Sequence, residues 1–358
     1  MKAGLIGLSA VGKSTLFQLL TGAPAPPPGG RPEPRVGIAR VPDARVDKLA
    51  EMYKPKKKTP ATIEFVDVPG VAKGEGQALV DLPALRGVDA LVHVVRAFES
   101  DLVPHPEGSV DPLRDARMLE LELILADLGA VERRLERLEA NIKKANRAED
   151  VAERAVFLKM REALEAERPL RELTLTDDER RRLRSYSFLS EKPVVLVVNM
   201  GEEQVKGAAA YLESAGLAAF AGKPGFALCE VAAPIEAEMT QLDPEDARAF
   251  REDLGLSGPG LDRVVRTSYA LLGLISFLTA GEDECRAWTI PRGTRAQPAA
   301  GAIHSDIERG FIRAEVVAFE DLVAAGSIAA CRERGTLRLE GKEYVVRDGD
   351  VINFRFNV

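Results

Sequence analysis

Near its N-terminus the chain carries Gly7-Leu8-Ser9-Ala10-Val11-Gly12-Lys13-Ser14, a complete GxxxxGK[ST]. This pattern limits the fold more than any other stretch, because it works only between a strand and a helix. Both neighbours comply. Residues 2–6, KAGLI, are short and apolar, as a buried parallel strand should be. The following STLFQLLTG reads as a helix closed by Gly22. Glycines let the main chain wrap so that successive N–H groups point inward at phosphate, and the helix N-terminus adds its positive dipole end. Gly7, Ser9, Ala10, Val11, Gly12, Lys13, Ser14 and Thr15 are therefore the expected phosphate cradle. Lys13 is expected to bridge the β- and γ-phosphates of a nucleoside triphosphate, and Ser14 to ligate Mg²⁺.

Two further motifs fall at strand ends. Strand-like ATIEFVDV (61–68) finishes in Asp67-Val68-Pro69-Gly70. A carboxylate there can hold Mg²⁺ through water, and the Gly70 N–H can contact a γ-phosphate; the plainer alternative is a turn aspartate. The continuous apolar run PVVLVVN (193–199) leads into Asn199-Met200-Gly201-Glu202, where GTPases carry NKxD. Glu202 stands in place of the Asp that takes both guanine hydrogens, and Met200 in place of the Lys that covers the base. The longer carboxylate weakens guanine selection, so adenine becomes the expected base. The alternative for Asn199 is a loop residue capping the next helix.

Strands alternating with helices at 2–111 and again from 193 predict an α/β domain with a mainly parallel sheet. Between them, from about 112 to 168, Leu121, Leu125, Leu128, Val131, Leu135, Leu138 and Ile142 recur at steps of three and four in a highly charged context. That is a narrow apolar stripe, and it predicts a long antiparallel helical hairpin packed on itself, with its outer face available to a partner. LDRVVRTSYALLGLISFLTA (261–280) reads as a closing helix, and the rest as a small β-rich module. The expected division is 1–111 with 193–280, an inserted hairpin at 112–192, and a C-terminal domain at 281–358.

Of 358 residues 29% are charged, and the net charge is −7, so no global positive field draws the chain to nucleic acid or membrane. No DNA sequence recognition is expected, and RNA contact would have to use local patches such as Lys54-Pro55-Lys56-Lys57-Lys58 or Arg180-Arg181-Arg182. Three scattered cysteines without a CxxC pair suit a reducing cytosol and offer no zinc site. The start, MKAGLIGLSAVG, is too glycine-broken for a secretion signal, and no apolar run nears the roughly 20 residues a membrane helix needs. A cytoplasmic protein is expected.

These motifs, with IARVPDARVDKLAEMYKPKK, FVDVPGVAKGEG, DALVHVVRAFE, LISFLTAGEDECRAWTIPRGTRAQPAAGAIHSDIERGFIRAEV and YVVRDGDVINF, resemble the YchF subfamily of Obg-like P-loop ATPases over nearly the whole chain. The resemblance implies a β-grasp TGS domain at the C-terminus, ATP preferred over GTP, Mg²⁺ as cofactor, slow hydrolysis, and association with the ribosome or ribosome-associated RNA. It implies a loop histidine acting on water, which falls on His105 in ESDLVPHPEGSVDP; a solvated loop histidine is the alternative. His93, inside a strand, is expected in the core. Departures mark a divergent member. The subfamily's Pro-Asn is replaced by Ser9-Ala10, its switch threonine falls near Arg31, Val71 cannot orient water, and Val231-Ala232-Ala233 leaves only a main-chain contact from Ala232 to the base. The expected cycle is an ATPase switch in which bound nucleotide orders the loops around 23–36 and 70–80. A nucleotide-gated adaptor without turnover, or a GTPase, are the alternatives.

Overall fold

The computed structural model describes residues 1–25, 33–68, 82–183, 185–254, 256 and 258–357. Gly70, Val71, Arg31 and much of the two expected switch loops lie outside these residues. The chain divides into two compact units, Met1–Ile38 with Glu64–Leu271, and Ala39–Ile63 with Leu272–Val358. In chain order the first strands are β1 (Lys2–Ile6), β2 (Arg35–Arg40), β3 (Lys57–Thr59), β4 (Thr62–Asp67), β5 (Ala90–Arg96), β6 (Val194–Asn199) and β7 (Phe226–Val231). They are followed by β8 (Leu274–Thr279), β9 (Glu284–Pro291), β10 (Phe311–Ala318), β11 (Arg338–Glu340) and β12 (Asp350–Phe356).

The first sheet has the order β2-β4-β1-β5-β6-β7. The pairings of β1 with β4 and β5, of β5 with β6 and of β6 with β7 are all parallel. Every residue of β5 and β6 is buried, which explains their largely apolar composition, broken only by His93 within β5 and by Arg96 and Asn199 at the strand ends: helices cover both faces of a parallel sheet. Register aligns Leu5 with Asp67, and Arg96 with Asn199, so the carboxyl ends of β1, β4, β5 and β6 converge at one edge. That edge is where open α/β sheets bind ligands. Helix α1 (Lys13–Thr21) starts there. His93 lies in the core, as expected.

The insertion is a hairpin of α2 (Pro112–Ala145) and α3 (Ala148–Glu165). Asp111 caps α2 by accepting from the Arg114 N–H, and Pro112 takes the first turn, where its missing N–H costs nothing. Val131, Leu135 and Leu138 pack against Val156, Phe157, Met160 and Leu164, with Arg134–Glu153 as a flanking ion pair. The stripe does not extend to the base of α2. Leu121 and Leu125 are exposed, and Leu119 and Leu123 are buried instead, packed with Leu91 and Val194 of the sheet. The expected stripe followed one partner; α2 has two, and its buried face rotates as it passes from sheet to α3. Asp127 fixes the return, accepting from the Leu189 N–H (3.0 Å), the Ser190 N–H (2.7 Å) and the Ser190 hydroxyl (2.7 Å).

The second sheet has the order β11-β10-β12-β8-β9-β3. Strands β8 and β9 form an antiparallel hairpin, β12 runs parallel to β8, and β10 runs antiparallel to β12 and β11. Ala296, Ala299 and Ala300 of a short helix seal one face over Phe277, Ile290, Val316 and Ile352. A helix across a sheet whose central strands are parallel is the β-grasp arrangement. One expectation fails here. The helix read at 261–280 ends at Leu271, and Leu274–Thr279 is strand β8. LISFLT is rich in residues that suit both a buried helix and a buried strand; Gly273 and the pairing with β9 decide for strand. The lysine run is strand β3 on this sheet's edge, with Lys56, Lys57 and Lys58 each ion-paired, to Asp283, Glu284 and Asp47. In the other basic run, Arg181 and Arg182 both pair with Asp178.

Candidate functional site

The glycine loop joins the end of β1 to α1. Gly12 sits at the helix start with φ +95°, and a Cβ there would collide with the Asn199 side-chain amide, so no other residue fits. No side chain caps α1, which leaves its first N–H groups for a ligand. Lys13 is buried and turned back on its own loop, donating to the carbonyls of Gly7 (2.8 Å) and Leu8. Burial pushes its ammonium down to about 8, and the Asp67 carboxylate offsets only part of that. An anion seated in the loop would supply the counter-charge this ammonium lacks.

Ser14 Oγ donates to Asp67 Oδ2 at 3.2 Å, so the two residues expected to hold Mg²⁺ come together from separate elements. A hydroxyl and one carboxylate fit that ion, which takes few protein oxygens and completes its shell with water and phosphate. Among the described residues there is no cluster of three or more His, Cys, Asp or Glu side chains that would suit a metal held by protein alone. Arg35, at the start of β2, also reaches Asp67 Oδ2, at 2.7 Å. Nothing local in the sequence marks Arg35, an arginine after a proline-rich loop, for this role.

Asn199 is 1% exposed and works as a clamp. Its Nδ2 donates to the Val11 carbonyl at 3.0 Å, and its Oδ1 accepts from the Ala233 N–H at 3.0 Å. It thus ties the glycine loop to the segment after β7. The Met200 side chain is fully buried in the core, Ala232 is buried beside it, and exposed Glu202 is ion-paired with Lys206 at 2.9 Å. Arg96, the last residue of β5, is also 1% exposed. Its guanidinium donates to the carbonyls of Phe98 (2.9 Å), Val103 (2.9 Å) and Ala10 (3.4 Å), linking the glycine loop to the loop that carries His105. An arginine closing a strand that is apolar but for His93 was the available signal for it.

His105 does not face solvent. Its side chain is 3% exposed, Nε2 lies 3.0 Å from Asp115 Oδ2, and Nδ1 accepts from the Glu107 N–H at 3.1 Å. Asp115, in the first turn of α2, is held by Arg114 and has its carboxyl pushed up by burial. The glycine loop, Lys13, Ser14, Asp67 and Asn199 are gathered at one edge; His105 is docked on the hairpin base.

A phosphate cradle at the carboxyl edge of a parallel sheet, with lysine, serine and aspartate around it, defines a P-loop nucleotide-binding protein. Comparison with known proteins narrows this. The family model MMR_HSR1, described as a 50S ribosome-binding GTPase, matches residues 2–121, and YchF-GTPase_C, described as a protein of unknown function (DUF933), matches residues 274–357. The chain is 44% identical over 365 residues to the ribosome-binding ATPase YchF of Bacillus subtilis, covering 100% of both. It is 36% identical to the Obg-like ATPase 1 of Caenorhabditis elegans, covering 100% of this chain and 92% of that one. Its structure matches that of the Schizosaccharomyces pombe YchF GTPase with a TM-score of 0.87 at 33% identity, over 99% of this chain and 97% of that one. The chain belongs to the YchF family of Obg-like P-loop proteins.

Proposed function

We propose that this chain binds Mg·ATP in preference to GTP, hydrolyses it slowly, and acts as a nucleotide-dependent switch on the ribosome. The observation that carries the reading is the joint placement of an uncapped helix start, Lys13 and the Ser14–Asp67 pair at the sheet edge. Gly7, Ser9, Ala10, Val11, Gly12, Lys13, Ser14, Thr15 and Gly70 are the proposed phosphate contacts, and Ser14 and Asp67 the Mg²⁺ ligands. Bound there, Mg²⁺ would neutralise phosphate charge. The chain's own part is to orient the phosphates with main-chain N–H groups and to keep them in a confined site. Glu202 in place of a shorter carboxylate supports the adenine preference, with base contacts proposed for Glu202 and the Ala232 main chain; the expected contacts from Asn199 and Met200 are not carried over, since Asn199 is spent on Val11 and Ala233 and Met200 is buried in the core. The ribosome is proposed from the names that the relatives carry, with the hairpin at 112–192 and the C-terminal domain as the presenting parts.

Parallel titration with labelled ATP and GTP tests the base preference, and Lys13→Ala should abolish uptake of both. Ribosome co-sedimentation that ignores nucleotide would remove the switch. A nucleotide-gated adaptor without turnover is the second reading, and the burial of His105 against Asp115 favours it. Phosphate release by wild type and His105→Ala separates the two: turnover that depends on His105 supports hydrolysis, and no turnover in either supports the adaptor.

A further inference from the structure

The side chains expected to hold the metal already have a cation. Arg35 Nη2 lies 2.7 Å from Asp67 Oδ2, the same oxygen that Ser14 Oγ reaches at 3.2 Å. The guanidinium is fixed from two other sides as well. Nη1 donates to the Pro24 carbonyl at 3.1 Å, and the guanidinium carbon stands 4.9 Å from the centre of the Phe17 ring. This placement needs β2 pressed against α1, and Gly37 permits it: a Cβ at 37 would lie 2.7 Å from Thr21 Cβ and 2.9 Å from the Phe17 ring. Arginine side chains on an edge strand usually extend into water; this one is drawn inward onto a carboxylate whose side chain is 9% exposed.

We infer that Arg35 is the resident cation of the metal site, keeping a free divalent ion off Asp67 and Ser14 until nucleotide brings one in. The inference rests on the P-loop reading and adds an order of binding to it. A divalent ion held by Asp67 and Ser14, directly or through water, would need acceptor lone pairs on the carboxylate and the hydroxyl. Here Oδ2 accepts from an N–H and an O–H, and the serine hydrogen points at the carboxylate. A free divalent ion would have to expel the guanidinium and share one carboxylate charge with it. A triphosphate reverses the balance, because its negative charges can hold both the ion and the displaced arginine.

The test uses Mn²⁺ as an ion visible by electron paramagnetic resonance, titrated into the full chain stripped of nucleotide. Arg35→Gln should bind Mn²⁺ at least about tenfold tighter than wild type, the scale of losing one charged hydrogen-bond partner. Adding Asp67→Asn should erase the gain. Arg35→Lys, which keeps the charge but cannot bridge Pro24 and Asp67 together, should gain less than Arg35→Gln, and it serves as the variant should the glutamine form fold poorly. Equal Mn²⁺ affinity in wild type and the Arg35 variants, or a gain that survives Asp67→Asn, overturns the assignment. Failure of the P-loop reading shows separately, as ATP uptake in metal-free buffer that Lys13→Ala leaves unchanged.

Discussion

Replacing Asn199 by alanine separates two roles that its position in the chain allows. If the side chain reads the base, its loss should weaken ATP binding and leave the empty protein as stable as before. The geometry assigns it the other role. Asn199→Ala removes the donor to the Val11 carbonyl and the acceptor of the Ala233 N–H, both 3.0 Å bonds at a residue 1% exposed. Each orphaned buried group costs about 1–3 kcal/mol, and water cannot easily replace the lost partner there. The unfolding free energy should therefore drop by about 3–4 kcal/mol, with small relaxation included. Asn199→Asp should be worse at neutral pH, because a second carboxylate oxygen would face the Val11 carbonyl where an amide now donates. Urea unfolding of nucleotide-free protein, followed by circular dichroism, gives the numbers. ATP affinity should fall in the same variants, since Val11 belongs to the cradle that Asn199 holds. A change in unfolding free energy below about 0.5 kcal/mol, the range of ordinary surface substitutions, would refute the clamp and return Asn199 to the base.

Burial, with Lys13 and Arg171 adding to it, pushes His93 down to about 3. The native state therefore keeps it neutral while the unfolded chain takes up a proton near pH 6.5, so stability is lost as pH falls from 6.5 towards 3. Between pH 7 and 5 this group alone should cost about 2 kcal/mol, and His93→Leu should flatten that slope in urea titrations. Parallel pH profiles for the two proteins would contradict it. Asp127→Ala strips partners from two main-chain N–H groups and a hydroxyl at the hairpin's return, and should cost about 3 kcal/mol in the same assay. Gly12→Ala forces a left-handed φ on alanine and drives its Cβ into the Asn199 amide. It should abolish ATP uptake and destabilise the chain by about 1–3 kcal/mol, so normal ATP titration would show that the loop is looser than described.

The phosphate cradle was legible because its chemistry is local. Eight consecutive residues, a strand before them and a helix after them specify main-chain direction without distant partners, and the buried strands β5 and β6 announce themselves by having no polar face. Asp67 was legible for the same reason, as a carboxylate at a strand tip. Local pattern could not decide between helix and strand for LISFLT, since both would be buried; pairing with β9 settled it. Nor could it show that α2 changes partners along its length, which exposes Leu121 and Leu125. The roles of Asn199, Arg96 and Arg35 depend on residues up to 188 positions away, as for the bond from Asn199 to Val11. Hydrogen bonds and ion pairs act over a few ångströms in space, whatever their separation along the chain. So the sequence itself determined what kind of ligand this protein is built around, while only the folded chain decided which side chains clamp the cradle, which cation sits on Asp67, and that His105 lies against Asp115.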